Sequence, residues 1–150
     1  MNEAALDVLL AARILERGPS GELRLGDQDG LLVPAEVDRL GRLAGDLLPP
    51  DVTGIVIGET RLDALLGYMV GRTRELPVVL MYDREGIGGL RGSLPPTGEL
   101  CLLTGVLQDP WMVDEFEGLC RQHGVAAAGA AALVSVLSPA DPRVRALVQI

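Results

Sequence analysis

Three short stretches hold most of the residues whose types and spacing could do chemistry: "GETRLD" (58–63), "YDREGIGGLRG" (82–92) and "TGVLQDPW" (104–111). In the first, backbone amides open a helix, Thr60 is placed as its N-cap, and Asp63 stands three residues on, close to a capping box. Glu59 lies beside the cap, and Arg61 is either set to meet an anion or simply solvated. In the second, glycines 86, 88 and 89 free the backbone between Arg84 and Arg91. Two guanidiniums so placed could clamp a phosphate or carboxylate. The alternative is a mobile β-excursion whose arginines pair with Asp83 and Glu85. In the third, Thr104 and Gly105 sit where a strand gives way to a helix. A phosphate cradle there needs consecutive inward amides, which favours Gly, Ser and Thr. This turn has one glycine, and Pro110 removes an N–H. Asp109 before Pro110 reads as an N-cap followed by proline at the first helical position. Its carboxylate is expected to cover the helix N-terminus, with Trp111 supplying bulk, so the helix start reads as sealed by its own side chains.

Other reactive residues are few. Cys101 and Cys120 stand 19 apart in apolar surroundings with a single histidine, His123, which is no metal framework and no disulfide scaffold. Buried free thiols in a reducing, cytoplasmic compartment are expected. Cys120 and His123 are three apart at a helix end, and that pair reads as structural rather than as a nucleophile with its base. No two carboxylates have a spacing that suggests acid–base work on a glycoside. No catalytic residue, metal ligand or cofactor is assigned.

These stretches must be positioned by regular elements. "NEAALDVLLAARILERG" reads as an amphipathic helix that includes Leu15 and stops at Gly18. "GELRLGDQDGLLVPAE" reads as a small β-hairpin-like excursion, with Leu23 and Leu25 facing Leu31 and Val33 across "GDQDG". Pro34 opens a helix that "PP" at 49–50 closes. From there "VTGIVIG", "LPVVLMYD" and "ELCLLTGV" read as strands, with a helix over "RLDALLGYMVGRTR" and another over "WMVDEFEGLCRQHG". "AAAGAAALVSVL" reads as a further strand whose alanine-rich start is also compatible with helix. Strands separated by helices of about a dozen residues imply βαβ crossovers. The expected fold is one α/β domain over 1–150, a doubly wound, mainly parallel sheet with helices on both faces. A helical N-terminal part (1–50) precedes a core (51–150). Ligands are then expected at the carboxyl ends of the strands, where all three stretches fall.

Composition narrows the partners. The 150 residues carry a net charge of −8, and every basic residue is arginine. With no basic cluster, nucleic acid is a poor partner, and anionic membrane surfaces are disfavoured. Apolar runs break well before the ~18 residues a membrane span needs. No secretory leader is expected at the N-terminus. A small anionic ligand held by local arginines and amides is still compatible with these totals.

Taken together, these segments resemble the type I phosphoribosyltransferases, the orotate-specific ones most of all. The resemblance runs over nearly the whole chain. "LLAARILERGPSGELRLGDQDGLLVPAEVDRLGRLAGDLL" is similar to the family's first helix, its "G-x-F-x-L-x-S-G" strand pair and the next helix. "GIVIGETRLDALLGYMVGRTRELPVVLMYDRE" is similar to the segment that usually reads "G-x-x-x-G-G-I-x-L-A", helix, then "V-R-K-E". The resemblance implies a homodimer and, in an active member, ribose 5-phosphate transfer from phosphoribosyl diphosphate to a nucleobase with Mg²⁺. The departures fall on that chemistry. The family's paired acids and "T-T-G-G" turn are replaced by Thr104, Gly105, Gln108, Asp109, Pro110 and Trp111. "R-K-E" becomes Asp83, Arg84 and Glu85. The catalytic loop is short, with Arg91 as its basic remnant and no lysine. The glycine pair of the diphosphate loop becomes Leu62 and Asp63. The resemblance therefore implies a phosphoribosyltransferase fold from which transfer has been lost, left as a small-molecule-binding or assembly module. Any retained ligand is expected at Glu59, Thr60, Arg61, Arg84, Arg91, Thr104, Gly105 and Asp109. The alternative is an active, orotate-like transferase with a divergent donor site.

Overall fold

The computed structural model describes residues 3–150. It opens with helix α1 (Glu3–Ala11), whose expected start at Asn2 lies outside the described residues. The helix is shorter than its apolar periodicity suggests, and Leu15 is not part of it. Arg13 turns into the left-handed region (φ 55°), and the chain continues as β1 (Leu15–Arg17). β1 pairs antiparallel with β2 (Leu23–Leu25). The hairpin thus forms one strand earlier than expected, and Leu31 lies in a 3-10 turn (Asp29–Leu32).

Tertiary packing explains the difference. A Cβ on Gly26 would stand 2.2 Å from the Arg13 carbonyl oxygen, and one on Gly30 would stand 2.3 Å from Ala12 Cα. Both glycines serve close backbone approach rather than a hairpin turn. The amides of Gly26 and Gln28 donate to the Ile14 and Arg13 carbonyls. The Arg13 guanidinium meets Asp27 at 2.6 Å. These contacts draw residues 12–15 out of the helix.

The rest is a six-stranded sheet with its crossover helices. In chain order come α2 (Pro34–Leu47), β3 (Gly54–Ile57), α3 (Arg61–Arg74), β4 (Val78–Arg84), β5 (Ile87–Arg91), β6 (Glu99–Leu107), α4 (Trp111–Gln122), β7 (Ala126–Ser135) and β8 (Val144–Gln149). The strand order is β5-β4-β3-β6-β7-β8. All neighbours are parallel except β5, which returns antiparallel on β4. All four residues of β3 are buried, as a central parallel strand requires. The alanine-rich start of β7 is strand, and Gly129 (φ 85°) lies where its register with β6 shifts.

Two apolar cores flank the sheet. Leu9, Leu40, Ile55, Leu66, Leu103 and Leu133 join α1, α2 and α3 to one face. Val56, Val79, Leu102, Phe116 and Ala132 join α4 to the other. Helices therefore cover both faces, three on one side and one on the other. No helix among the described residues is long and apolar enough to cross a membrane.

Candidate functional site

Strand order reverses between β3 and β6, so the crevice beyond their carboxyl ends is where a ligand is looked for in such a sheet. Two loops meet there, Gly58–Thr60 before α3 and Gln108–Pro110 before α4. Thr60 caps α3 as the sequence suggests: its hydroxyl oxygen accepts the Asp63 N–H at 3.0 Å. The return arm of a capping box is absent. The Asp63 carboxylate turns to β6 instead, where Oδ1 accepts the Gly105 N–H at 2.8 Å and the Thr104 hydroxyl at 3.0 Å.

Thr104 and Gly105 are thus not loop residues. β6 stays paired with β7 as far as Leu107 opposite Ser135, so both lie buried inside the strand. Their polar groups meet an internal carboxylate in place of a ligand. Leu62, the residue before, completes the closure: a Cβ on Gly105 would stand 2.0 Å from Leu62 Cδ2. The side chain lies directly on that glycine.

Asp63 is almost fully buried, and its second oxygen, Oδ2, has no hydrogen-bond partner. Burial raises the carboxyl above its ordinary 3.8, against the lowering effect of the Gly105 N–H. Oδ2 packs directly against Gly58, where no side chain could fit without displacing it. A Cβ there would stand 2.7 Å from Oδ2 and 3.0 Å from Met112 Cε.

The basic residues of the second stretch form a row rather than a clamp. Arg84 pairs with Glu59 at 2.9 Å and donates to the Asp83 carbonyl, so its carboxylate partner is neither Asp83 nor Glu85. The Asp83 carboxylate accepts the Gly86 N–H at 2.9 Å and so closes the β4–β5 turn. The guanidiniums of Arg84 and Arg91 both lie over the Tyr82 ring, 5.9 and 5.4 Å from its centre. Tyr82 covers its cross-strand partner Gly89, whose Cβ would stand 2.5 Å from the phenol oxygen. The glycine-rich excursion is therefore an ordered antiparallel strand with an aromatic spacer between its arginines. Tyr82 escapes sequence reading because only register places it between them. Arg61 is exposed at the start of α3.

At the third stretch the expected cap is not formed. Pro110 occupies the cap position in helical backbone (φ −63°), and no side chain bonds the first amides of α4. The Asp109 carbonyl accepts the Met112 N–H instead, and the Asp109 side chain is exposed. Trp111 is 52% exposed and fills no central space. Leu62 does the filling expected of it.

Two hollows flank the closed crevice. One, of about 200 Å³, touches Gly58, Met81, Asp83, Trp111, Met112 and Glu115. The other, of about 710 Å³, lies beyond β6 and β7 between Gln108, Pro110, Leu137, Pro139, Pro142 and Arg143. Its three prolines offer no N–H to an anion. Arg143, which sequence reading did not single out, is committed to Asp141 (2.6 Å), Asp114 (2.7 Å) and Glu117 (2.9 Å). Its hydrogen bonds hold the Asp141 carboxyl below the ordinary range. The signal available was the turn "ADPR" following a strand.

The cysteines are buried free thiols, as expected. Burial pushes Cys101 up to about 12 and Cys120 up to about 11, well away from thiolate chemistry. His123 is exposed at the end of α4. Among the described residues no group of His, Cys, Asp and Glu is arranged to hold a metal.

No protein-family profile matches the chain. No curated protein sequence matches it. Solved structures do. Orotate phosphoribosyltransferase from Aeropyrum pernix superposes with a TM-score of 0.70 at 15% identity, over 99% of this chain and 92% of that one. Adenine phosphoribosyltransferase from Rhodothermus marinus gives 0.71 at 17% identity, over 99% of this chain and 100% of that one. UMP synthase from Leishmania donovani gives 0.70 at 13% identity, over 98% of this chain but 36% of that one, so the chain spans about a third of that protein. Identities this low speak to architecture alone, and on that ground the chain has the phosphoribosyltransferase fold.

Proposed function

We propose that this protein has lost transfer from phosphoribosyl diphosphate and serves as a small-molecule-binding or assembly module built on the transferase fold. One observation carries the reading: the Asp63 carboxylate and the Leu62 side chain occupy the crevice between β3 and β6. A multiply charged donor needs free amides at that end of the sheet and positive charge where diphosphate departs. Here the Gly105 N–H and Thr104 hydroxyl already serve a carboxylate. The residues present therefore do not fit a donor with its Mg²⁺, and no step is assigned to either.

The module reading has finer parts. The protein acts as a homodimer in the cytoplasm, where its buried thiols stay reduced. A small anionic ligand, where one is used, binds at the exposed Arg61, Arg84 and Arg91 edge rather than in the crevice.

The test is a thermal-shift titration with phosphoribosyl diphosphate and Mg²⁺, alone and with orotate or adenine, followed by assay for nucleotide product. A ligand at 100 times its dissociation constant adds about 2.7 kcal/mol, which raises the melting temperature by several degrees at this chain length. The expected result is no donor-dependent shift and no product. A shift accompanied by product overturns the reading in favour of an active transferase with a divergent donor site.

A further inference from the structure

The sheet is covered unevenly. On one side α2 lies over β7 and β8 and α3 over β6 and β3, while no helix is packed on β5 there. The alternation of β4 shows the step. Val79 and Met81 are buried on the α4 side, whereas Val78, Leu80 and Tyr82 face the other way and stay partly exposed. Among the described residues, seven large apolar side chains are exposed, and five of them belong to this side: Leu32 and Val33 before α2, Tyr68 on α3, Val78 on β4 and Ile87 on β5. Tyr68 is 63% exposed and Ile87 73%. Pro34, Val37, Leu65 and Met69 add an apolar hollow of about 300 Å³ beside Tyr68. An apolar face of this extent marks an interaction surface.

Its charges are divided. α2 presents Asp38, Arg42 and Asp46, and the bare strands present Arg84 and Arg91 beside Tyr82. Arg84 has Glu59 as a partner, but Asp38, Asp46 and Arg91 are in no ion pair among the described residues. We infer that a second copy of this chain docks on this face, about a two-fold axis that runs along the strands. α3 then meets α3, and α2 of each copy lies on the bare β4–β5 face of the other. An axis across the strands is the other way to pair this face with itself, and it sets one arginine row on the other. Heights measured toward the carboxyl ends of the strands agree. Val78 sits over Gly67 and Gly71 of α3, and Gly41 of α2 faces Met69 between them. Asp38 stands three residues above Gly41, about 4.5 Å along the helix. Arg91, cross-strand from Leu80, stands two residues above Val78, about 6.6 Å along the strand. The axis therefore brings Asp38 of one copy opposite Arg91 of the other, and Leu32 and Val33 toward Ile87. Arg61 and Arg84 stay at the rim, open to an anion. This interface rests on the homodimer proposed above and specifies the face that forms it.

Sedimentation equilibrium of charge-reversed variants tests the face. Asp38→Arg and Arg91→Asp alter exposed side chains outside ion pairs, and both are expected to keep the parent's circular dichroism. Each reversal creates two like-charge contacts per dimer. At about tenfold for each contact, the dimer dissociation constant is expected to rise about a hundredfold. Asp38→Arg combined with Arg91→Asp restores opposite charges and is expected to return to within about tenfold of the parent. Tyr68→Ala, which changes no charge, is expected to weaken the dimer, whereas Trp111→Ala on the α4 side leaves it unchanged. This face is excluded if the parent is dimeric and both reversals dimerise as tightly. It is also excluded if the combined variant is no tighter than the single ones, or if Trp111→Ala dissociates the dimer and Tyr68→Ala does not. A parent of single-chain mass refutes the homodimer itself, and this face with it.

Discussion

Asp63 joins two parts of the chain that lie 42 positions apart: it stands in the first turn of α3, and its carboxylate holds the backbone of β6 at Gly105. Because burial raises its carboxyl above the ordinary 3.8, the native state binds that proton more readily than the unfolded chain does. Its contribution to stability is therefore fully present below the ordinary value and is lost as pH rises through the native one. Asp63→Asn removes this titration. The melting temperature of the variant, followed from roughly pH 4 to 8, is expected to lack the acid-side gain that the parent shows from this group. An identical profile in both proteins would assign the gain elsewhere. Thr60 was legible as a cap because capping depends on residues three apart. The Asp63–Gly105 bond was not legible, since nothing local distinguishes a capping-box acid from one that reaches across the sheet.

At the scale of elements, α4 stands alone on its face of the sheet, and Phe116 is fully buried at its centre. Truncating a buried phenylalanine costs about 3–5 kcal/mol, because both transfer energy and packing are lost. Phe116→Ala is expected to lower stability by that amount in urea denaturation. A loss under 1 kcal/mol would mean that α4 is not the cover described. The helix was readable from its 3.6-residue period, as were α2 and α3, and the buried strands β3, β4 and β6 stood out as apolar runs. β1 was hidden because Leu15 continues the helical period of α1, and only Gly26, Gly30 and Asp27 pull it away. β8 was not read at all, since "VRALVQ" is short and interrupted by the exposed Arg145.

At the scale of the molecule, the parallel order was legible because strand and helix patterns alternate, and parallel strands require such crossovers. What the crevice holds was only half legible. That Leu62 and Asp63 rather than glycines follow "GETR" is plain in the sequence, while the filling of the crevice by Leu62 rather than Trp111 depends on packing across the sheet. The proposed homodimer belongs to this scale. Sedimentation equilibrium at micromolar concentration is expected to return twice the chain mass, and a single-chain mass across the whole range would refute it.

The contact of Leu62 and Asp63 with Gly105 also bears on which substitutions this protein can accept. A change of Leu62 to glycine would strip apolar surface from the core and place a poor helix former in α3. A change of Asp63 to glycine would leave the Gly105 N–H and the Thr104 hydroxyl buried with nothing to bond. Each single change to glycine is therefore expected to lower stability. The closure therefore resists being opened one residue at a time: folding stability holds both side chains where they lie.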